Sequence, residues 1–487
     1  MRPQAQSTEE QSRPPQGKHK VPTRISGLDN ILAGGVPKGA LTLLRGGPGT
    51  GKTMLGLEFV YRSALAGRPG VFLSFEERET ALRRYANNLG WDLESLEEQG
   101  LLILIGAHLN PDAIFSGDFD LRGILAILEN KIAASGAREI VIDAPDVFLR
   151  LLDHTAKERV ELHMLNEWLR NRDLTALMTV KGGDNGRFPS QYNFLDYMAD
   201  CVIRLDQRTY EQVATRRLQV LKYRGSSFGQ NEYPFGITPS GFRIIPITQA
   251  NLQHRGLGEP VSSGISALDT LLEGGYRRAS CTLLTGGSGT GKTTFACSFA
   301  RSATAQGERV LYLDFEESWE ALTATMQSPG INLQGAYDSG MLRFISNLPE
   351  SQGIEDHLIQ AFAAIEEFQP DFLIVDAISA CRRMGADQSA FDYLLRLIDI
   401  CKQRGITTLL TNLTANSAEE DEITGIDLSS VIDTVLILRN RECAGTMQRE
   451  LVILKSRGRN HSMRVHNFAI TSQGIGLSVQ GAQPHDV

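Results

Sequence analysis

Residues 46–53 read Gly46-Gly47-Pro48-Gly49-Thr50-Gly51-Lys52-Thr53, and residues 286–293 read Gly286-Gly287-Ser288-Gly289-Thr290-Gly291-Lys292-Thr293. Both fit G-x-x-x-x-G-K-[ST], the pattern of a loop that cradles phosphates. Its context decides the fold. An apolar run (Ala40–Arg45) precedes the first copy as a strand, and Met54–Ala66 follows it as a helix. The glycines Gly47, Gly49 and Gly51, and Gly287, Gly289 and Gly291, let backbone N–H groups approach an anion. The positive end of the following helix adds to the field. Thr50, Thr290 and Thr294 complete the expected nucleotide contacts. Lys52 and Lys292 are expected to reach the β- and γ-phosphates of ATP, and Thr53 and Thr293 to hold Mg²⁺ through their hydroxyls.

Working outward, the two loops lie 240 residues apart, and so do Ser26-Gly27-Leu28-Asp29 and Ser266-Ala267-Leu268-Asp269. Phe75-Glu76-Glu77 and Phe315-Glu316-Glu317 keep that offset. Further on, Ile140-Val141-Ile142-Asp143-Ala144 meets Leu373-Ile374-Val375-Asp376-Ala377 at 233, as Leu221-Lys222-Tyr223-Arg224-Gly225 meets Leu454-Lys455-Ser456-Arg457-Gly458. A single net loss of seven residues accounts for both offsets, so the chain is an internal duplication. The expected layout is a disordered tail over 1–18, a domain over 19–246, a polar linker over 247–259 and a second domain over 260–487. In the first half ALTLLRG, PGVFLSF, REIVIDA, TALMTV and DCVIRL read as buried strands separated by helical stretches. That alternation predicts an α/β fold in each half, a mostly parallel sheet flanked by helices.

Three further motifs carry chemistry. Asp143 and Asp376 each end an apolar strand, where a carboxylate steadies a nucleotide-bound magnesium. Glu76-Glu77 and Glu316-Glu317 stand 24 residues beyond each loop lysine. A carboxylate there can orient a water or accept a hydroxyl proton. Lys222 and Arg224, with Lys455 and Arg457, form a repeated K-x-R-G on a late strand. Such cations stabilise transition-state charge as arginine fingers, often from a neighbouring subunit.

Together these motifs resemble the KaiC family of RecA-like circadian clock ATPases and autokinases. The resemblance runs from about residue 20 to 478 and rests on strings such as RISGLDNILAGGVPKG, FLSFEE, LKYRGSSF, EYPFGITPSGFRIIP, DFEESWEAL and DLSSVIDTVLILRN. It implies tandem RecA-like P-loop NTPase domains in a homo-hexamer with nucleotide at subunit interfaces. It further implies ATP hydrolysis in the N-terminal domain and serine/threonine autophosphorylation in the C-terminal one. The family's acceptor pair, before an I-x-D-T strand, matches Ser429-Ser430, and a further family hydroxyl matches Thr424. The second acceptor is Ser rather than Thr. In the first half, counting back 233 residues places Asp196-Tyr197 and Gln191 there, with no aliphatic hydroxyl. The resemblance also suggests a KaiB-like partner. Family clock members continue into a tail that recruits KaiA, whereas this chain ends GAQPHDV, so KaiA is not an expected partner. Phe228 replaces a His frequent in the family, and Met178–Lys181 replaces a more polar segment.

Composition bounds the alternatives. The 487 residues carry a formal net charge of −8, which does not attract nucleic acid non-specifically. No apolar run is long enough to span a bilayer and no signal core opens the chain, so a cytoplasmic location is expected. Six cysteines are scattered without a CxxC pair, which argues against zinc or a disulfide framework. The competing readings are a DNA-dependent RecA-type ATPase and a nucleotide-gated assembly switch without kinase activity.

Overall fold

The structure is a computed structural model and describes residues 19–107, 121–149, 155–182, 194–210, 213–245, 256–384, 387–414, 431–443 and 445–478. The chain divides into two compact units, Met1–Thr209 with Thr215–Ile247, and Tyr210–Ala214 with Thr248–Val487. No helix among the described residues is long and apolar enough to cross a membrane.

The first unit is built on a nine-stranded sheet. In chain order its elements are β1 (Leu41–Gly46), α1 (Lys52–Leu65), β2 (Gly70–Ser74), β3 (Leu102–Gly106), α2 (Leu121–Ser135), β4 (Glu139–Asp143), α3 (Thr155–Asn171), β5 (Thr175–Lys181), β6 (Cys201–Tyr210), β7 (Val213–Tyr223), β8 (Glu232–Thr238) and β9 (Gly241–Ile244). The order across the sheet is β3-β2-β4-β5-β1-β6-β7-β8-β9. The strands from β3 to β6 are parallel, and β7–β8 and β8–β9 are antiparallel. All five strands read from the sequence are present. The helix after the phosphate loop starts two residues earlier than expected, at Lys52, directly after the left-handed Gly51.

The strands are continuous apolar runs because helices cover both faces of a parallel sheet. Alternation then sorts the side chains. Phe72 and Val141 join the core under α1, while Val71, Leu73, Ile140 and Ile142 join the core under α2 and α3. Gly56 brings α1 close to the sheet, since a Cβ there would stand 2.9 Å from Val141 Cγ1.

The second unit repeats this architecture with β10 (Cys281–Gly286), α4 (Lys292–Ala305), β11 (Val310–Asp314), β12 (Leu342–Ser346), α5 (Ile354–Phe368), β13 (Phe372–Asp376), α6 (Asp387–Arg404), β14 (Thr407–Leu413), β15 (Thr434–Cys443), β16 (Thr446–Ser456), β17 (Val465–Thr471) and β18 (Gly474–Leu477). Its order, β12-β11-β13-β14-β10-β15-β16-β17-β18, matches the first sheet strand for strand.

Strand register corrects the duplication in one place. Gly46 pairs with Lys181 and Gly286 with Leu413, so β5 and β14 correspond at an offset of 232 rather than 233. Thr42 pairs with Cys201 and Thr282 with Thr434, which restores 233 at β6 and β15. One residue is therefore lost before β14 and regained after it, in the connections rather than the strands.

Candidate functional site

Each phosphate loop leaves the C-terminal end of the central strand and turns into a 14-residue helix, α1 or α4. Gly51 and Gly291 make that turn at φ 95° and 102°, a conformation that favours glycine. A side chain at 51 would also stand 2.9 Å from Phe242 Cζ, and one at 291 would stand 2.7 Å from Ile470 Cδ1. Gly287 and Gly289 face open space where a Cβ would stand. Within the loops, the Thr50 and Thr290 hydroxyls donate to the Gly47 and Gly287 carbonyls, each at 2.9 Å. Lys52 Nζ donates to Gly47 O at 2.7 Å, and Lys292 Nζ to Gly286 O and Gly287 O at 2.9 and 2.8 Å. Burial lowers the pKa of both lysines, opposed by Asp143 and Asp146 at Lys52 and by Asp376 and Glu316 at Lys292. A glycine-rich loop, a helix N-terminus and a partly desolvated ammonium fit a polyphosphate. Thr294 is buried one position further along α4, and its carbonyl accepts from Ser298.

Strand pairing aligns the carboxylates. Ser74 pairs with Asp143 across β2 and β4, and Asp314 with Asp376 across β11 and β13. In the first half Thr53 Oγ1 lies 3.2 and 3.3 Å from the Asp143 oxygens, so the two expected metal-holding groups converge. Thr179 donates to Asp143 at 2.7 Å, and burial raises the pKa of that carboxyl. In the second half Tyr312 donates to Asp376 Oδ2 at 2.9 Å, and Thr411 donates to Oδ1. These hydroxyl donors were not read from the sequence.

The glutamate pairs follow β2 and β11 in the same way. Ser74 Oγ accepts from Glu76 N and Glu77 N, and the Asp314 carboxylate accepts from Glu316 N and Glu317 N. Their surroundings then diverge. Glu76 Oε1 meets Lys181 Nζ at 2.7 Å, and Glu77 accepts from Tyr85 at 3.3 Å. Glu317 Oε2 is buried without a hydrogen-bond partner among the described residues. Burial, then Asp376 and Glu316, raise the Glu317 pKa.

The K-x-R-G cations lie elsewhere. Lys222 Nζ donates to Asp196 O and Ala199 O at 2.5 and 2.6 Å, and Lys455 Nζ to Ile432 O at 2.8 Å. Arg224 and Arg457 pair with Asp200 and Asp433 at 3.5 and 3.2 Å. These groups sit where β6 and β15 begin. The phosphate loop of the same unit leaves the opposite end of the sheet, roughly 13 Å of strand away. Phe228 packs against the core of the first unit. Thr424, Ser429 and Ser430 lie outside the described residues. Their first-half counterpart Asp196 is ion-paired to Arg45 of β1.

Asp314 carries a prediction. Burial is the main cause that pushes its pKa from 3.8 up to about 7, aided by Asp376 and Glu317 and opposed by the two backbone N–H groups. The folded state therefore binds this proton more tightly than the unfolded chain. The stability it contributes is fully present below about pH 4 and lost as pH rises through about 7. Asp314→Ser keeps an acceptor oxygen, as Ser74 shows. Between pH 5 and 7.5 the variant is expected to gain roughly 2 kcal/mol relative to the parent, read by amide exchange in β11. A difference that does not vary with pH would show that Asp314 is not buried as a titrating carboxyl.

Comparison with known proteins agrees with this geometry. A family model described as "ATPase: KaiC" matches residues 21–249 and again 261–481. The chain is 38% identical over 462 residues to the circadian clock protein KaiC2 of Synechocystis sp. (strain ATCC 27184 / PCC 6803 / Kazusa), covering 94% of this chain and 81% of that protein. It is 33% identical to the circadian clock oscillator protein KaiC of Thermosynechococcus vestitus, covering 93% and 88% of the two chains. The circadian clock protein KaiC3 of the same Synechocystis strain is 32% identical, with 94% and 92% covered.

Proposed function

Because this chain belongs to the KaiC ATPase family, we propose that its two halves divide the chemistry of ATP: the first hydrolyses it and the second also phosphorylates serine. Membership supports ATP binding and ATPase activity. Autokinase activity is our reading, and the observation that carries it is Glu317. Its Oε2 is buried and unpartnered among the described residues, and the carboxylates of Asp376 and Glu316 act on it. A carboxylate of raised pKa suits proton acceptance from a hydroxyl.

In this reading Thr53 with Asp143, and Thr293 with Asp376, hold Mg²⁺, which supplies charge neutralisation at the phosphates. The glycine loops with Lys52 and Lys292 orient the terminal phosphoryl group. The acceptor is Ser429 or Ser430, with Thr424 as a third candidate. Its Oγ forms a bond to the γ-phosphorus, the bond to ADP breaks, and the hydroxyl proton passes to Glu317 or Glu316. Lys222, Arg224, Lys455 and Arg457 face away from the phosphate loop of their own unit. We therefore assign them to sites completed by a neighbouring subunit in a homo-hexamer. Phosphoserine would add about −1.5 to −2 charges there and so change subunit packing or the binding of a KaiB-like partner.

The test is a mixed assembly incubated with Mg-ATP and mapped by mass spectrometry. Subunits carrying Glu316→Gln and Glu317→Gln but both serines are mixed with subunits carrying Ser429→Ala and Ser430→Ala. Phosphate on the first kind, made by the second, is the expected result. Phosphate at 429 or 430 on the unsubstituted chain, but on neither kind in the mixture, would place transfer within one chain. No phosphate at 424, 429 or 430 on the unsubstituted chain would leave an ATPase without autokinase activity.

A further inference from the structure

Lys181 closes β5 beside the first phosphate loop. It is the register partner of Gly46, and the next N–H, that of Gly182, donates to Gly46 O at 2.8 Å. Its ammonium sits 2.7 Å from Glu76 Oε1. Lys181 and Glu76 both act electrostatically on Lys52, the first opposing its charge and the second favouring it. Two ammonium groups thus share one small loop, with Asp143 and Asp146 acting on Lys52 and the half-exposed Glu76 alone ion-paired to Lys181 among the described residues. Like charges so placed are stabilised by an anion, and the anion they flank best is a phosphate.

The fold does not require a cation at this place. In the second unit the register partner of Gly286 is Leu413, which is 41% exposed. We propose that Lys181 reads the terminal phosphate of ATP in the first half alone, exchanging Glu76 for that phosphate when ATP is bound. This rests on the ATPase reading of the site. ADP lacks the terminal phosphoryl group and leaves Lys181 on Glu76. ATP draws Lys181 away and frees the Glu76 carboxylate to orient water. Lys181 is then a specificity-determining residue that couples recognition of ATP to release of the water-orienting group. The second half has no such exchange, and its glutamates stay free of a cation from β14.

The experiment uses the full chain with Lys292→Ala, which silences the second site, and calorimetric titration with ADP and with a non-hydrolysable ATP analogue. Lys181→Leu, the residue of the second half, is expected to weaken the ATP analogue about tenfold and to change ADP less than about twofold. Lys181→Arg keeps a donor and is expected to preserve the preference for ATP. Equal weakening of both nucleotides in Lys181→Leu would assign the lysine a purely structural role and overturn the proposal. No change in either, or an arginine variant that behaves like leucine, would overturn it as well. A Lys292→Ala parent that binds neither nucleotide would overturn the ATP-site reading together with this one, and so distinguishes the two failures.

Discussion

A chain carrying Glu316→Gln and Glu317→Gln is expected to lose phosphoryl transfer in its second half by about 100- to 10,000-fold while still binding ATP. Glutamine keeps the size of each side chain but cannot take a proton. The groups that hold the phosphates are untouched: Lys292 on the Gly286 and Gly287 carbonyls, and the turn at Gly291. The backbone is held as well, because Asp314 binds the N–H groups of residues 316 and 317 rather than their side chains. Glu317 alone should account for most of the effect, since Glu316 is exposed and Glu317 is partly buried near Asp376. With Lys52→Ala silencing the first half, single-turnover transfer from labelled ATP gives the rate and equilibrium binding gives the affinity. A fall in rate with affinity changed less than about threefold identifies an interaction made in the transition state. An unchanged rate would remove both glutamates from the proton path. A matched loss of affinity would mean that they support the loop instead.

What the sequence revealed, and what it withheld, follows from how local each signal is. A phosphate loop is specified within eight consecutive positions, because the glycines, Lys52 and Thr53 must follow one another for the N–H groups to converge. The strand ends at Asp143 and Asp376 are equally local, since a carboxylate closing five buried residues is visible in a string. The Lys181–Glu76 pair is different. Its members are 105 residues apart and meet because β2 and β5 flank β4, and no motif records that adjacency. The one-residue slip between β5 and β14 hid the counterpart of Lys181 in the same way. Counting at 233 points to Thr414, whereas the strand register points to Leu413. The exchange of Ser74 for Asp314 was visible in FLSFEE against YLDFEE, but its effect depends on β13, which sets Asp376 alongside. The candidate acceptors Ser429 and Ser430 were legible only through family resemblance, because a serine pair before a strand has ordinary structural uses.

Lys402→Ala is expected to destabilise the second unit by about 3 to 5 kcal/mol, whereas Arg170→Ala should cost the first unit no more than about 1 kcal/mol. The two cations are counterparts at the ends of α6 and α3, and each faces the aspartate before the strand beside the central one. Arg170 meets Asp200 at 3.3 Å, with side-chain exposures of 44% and 19%. Lys402 meets Asp433 at 2.8 Å, with exposures of only 9% and 3%. Water screens the first pair and not the second, so removing Lys402 leaves a buried carboxylate short of a partner. Asp433 would keep the Cys281 N–H at 2.9 Å and the half-exposed Arg457 at 3.2 Å, which places the cost toward the lower end of that range. Lys402 also donates to Val431 O at 2.7 Å, so its loss takes a donor from the carbonyl of the residue that follows Ser430. A chain of two units has no single unfolding free energy, so the measurement is amide exchange resolved to β10 and β15 in one variant and to β1 and β6 in the other. The double variant Lys402→Met with Asp433→Asn removes both charges and should recover part of the loss. Equal costs in the two units would show that burial does not distinguish the pairs. If the ordering holds, the second half fixes the start of β15 more firmly than the first fixes β6, at the point where the chain emerges from its candidate acceptors.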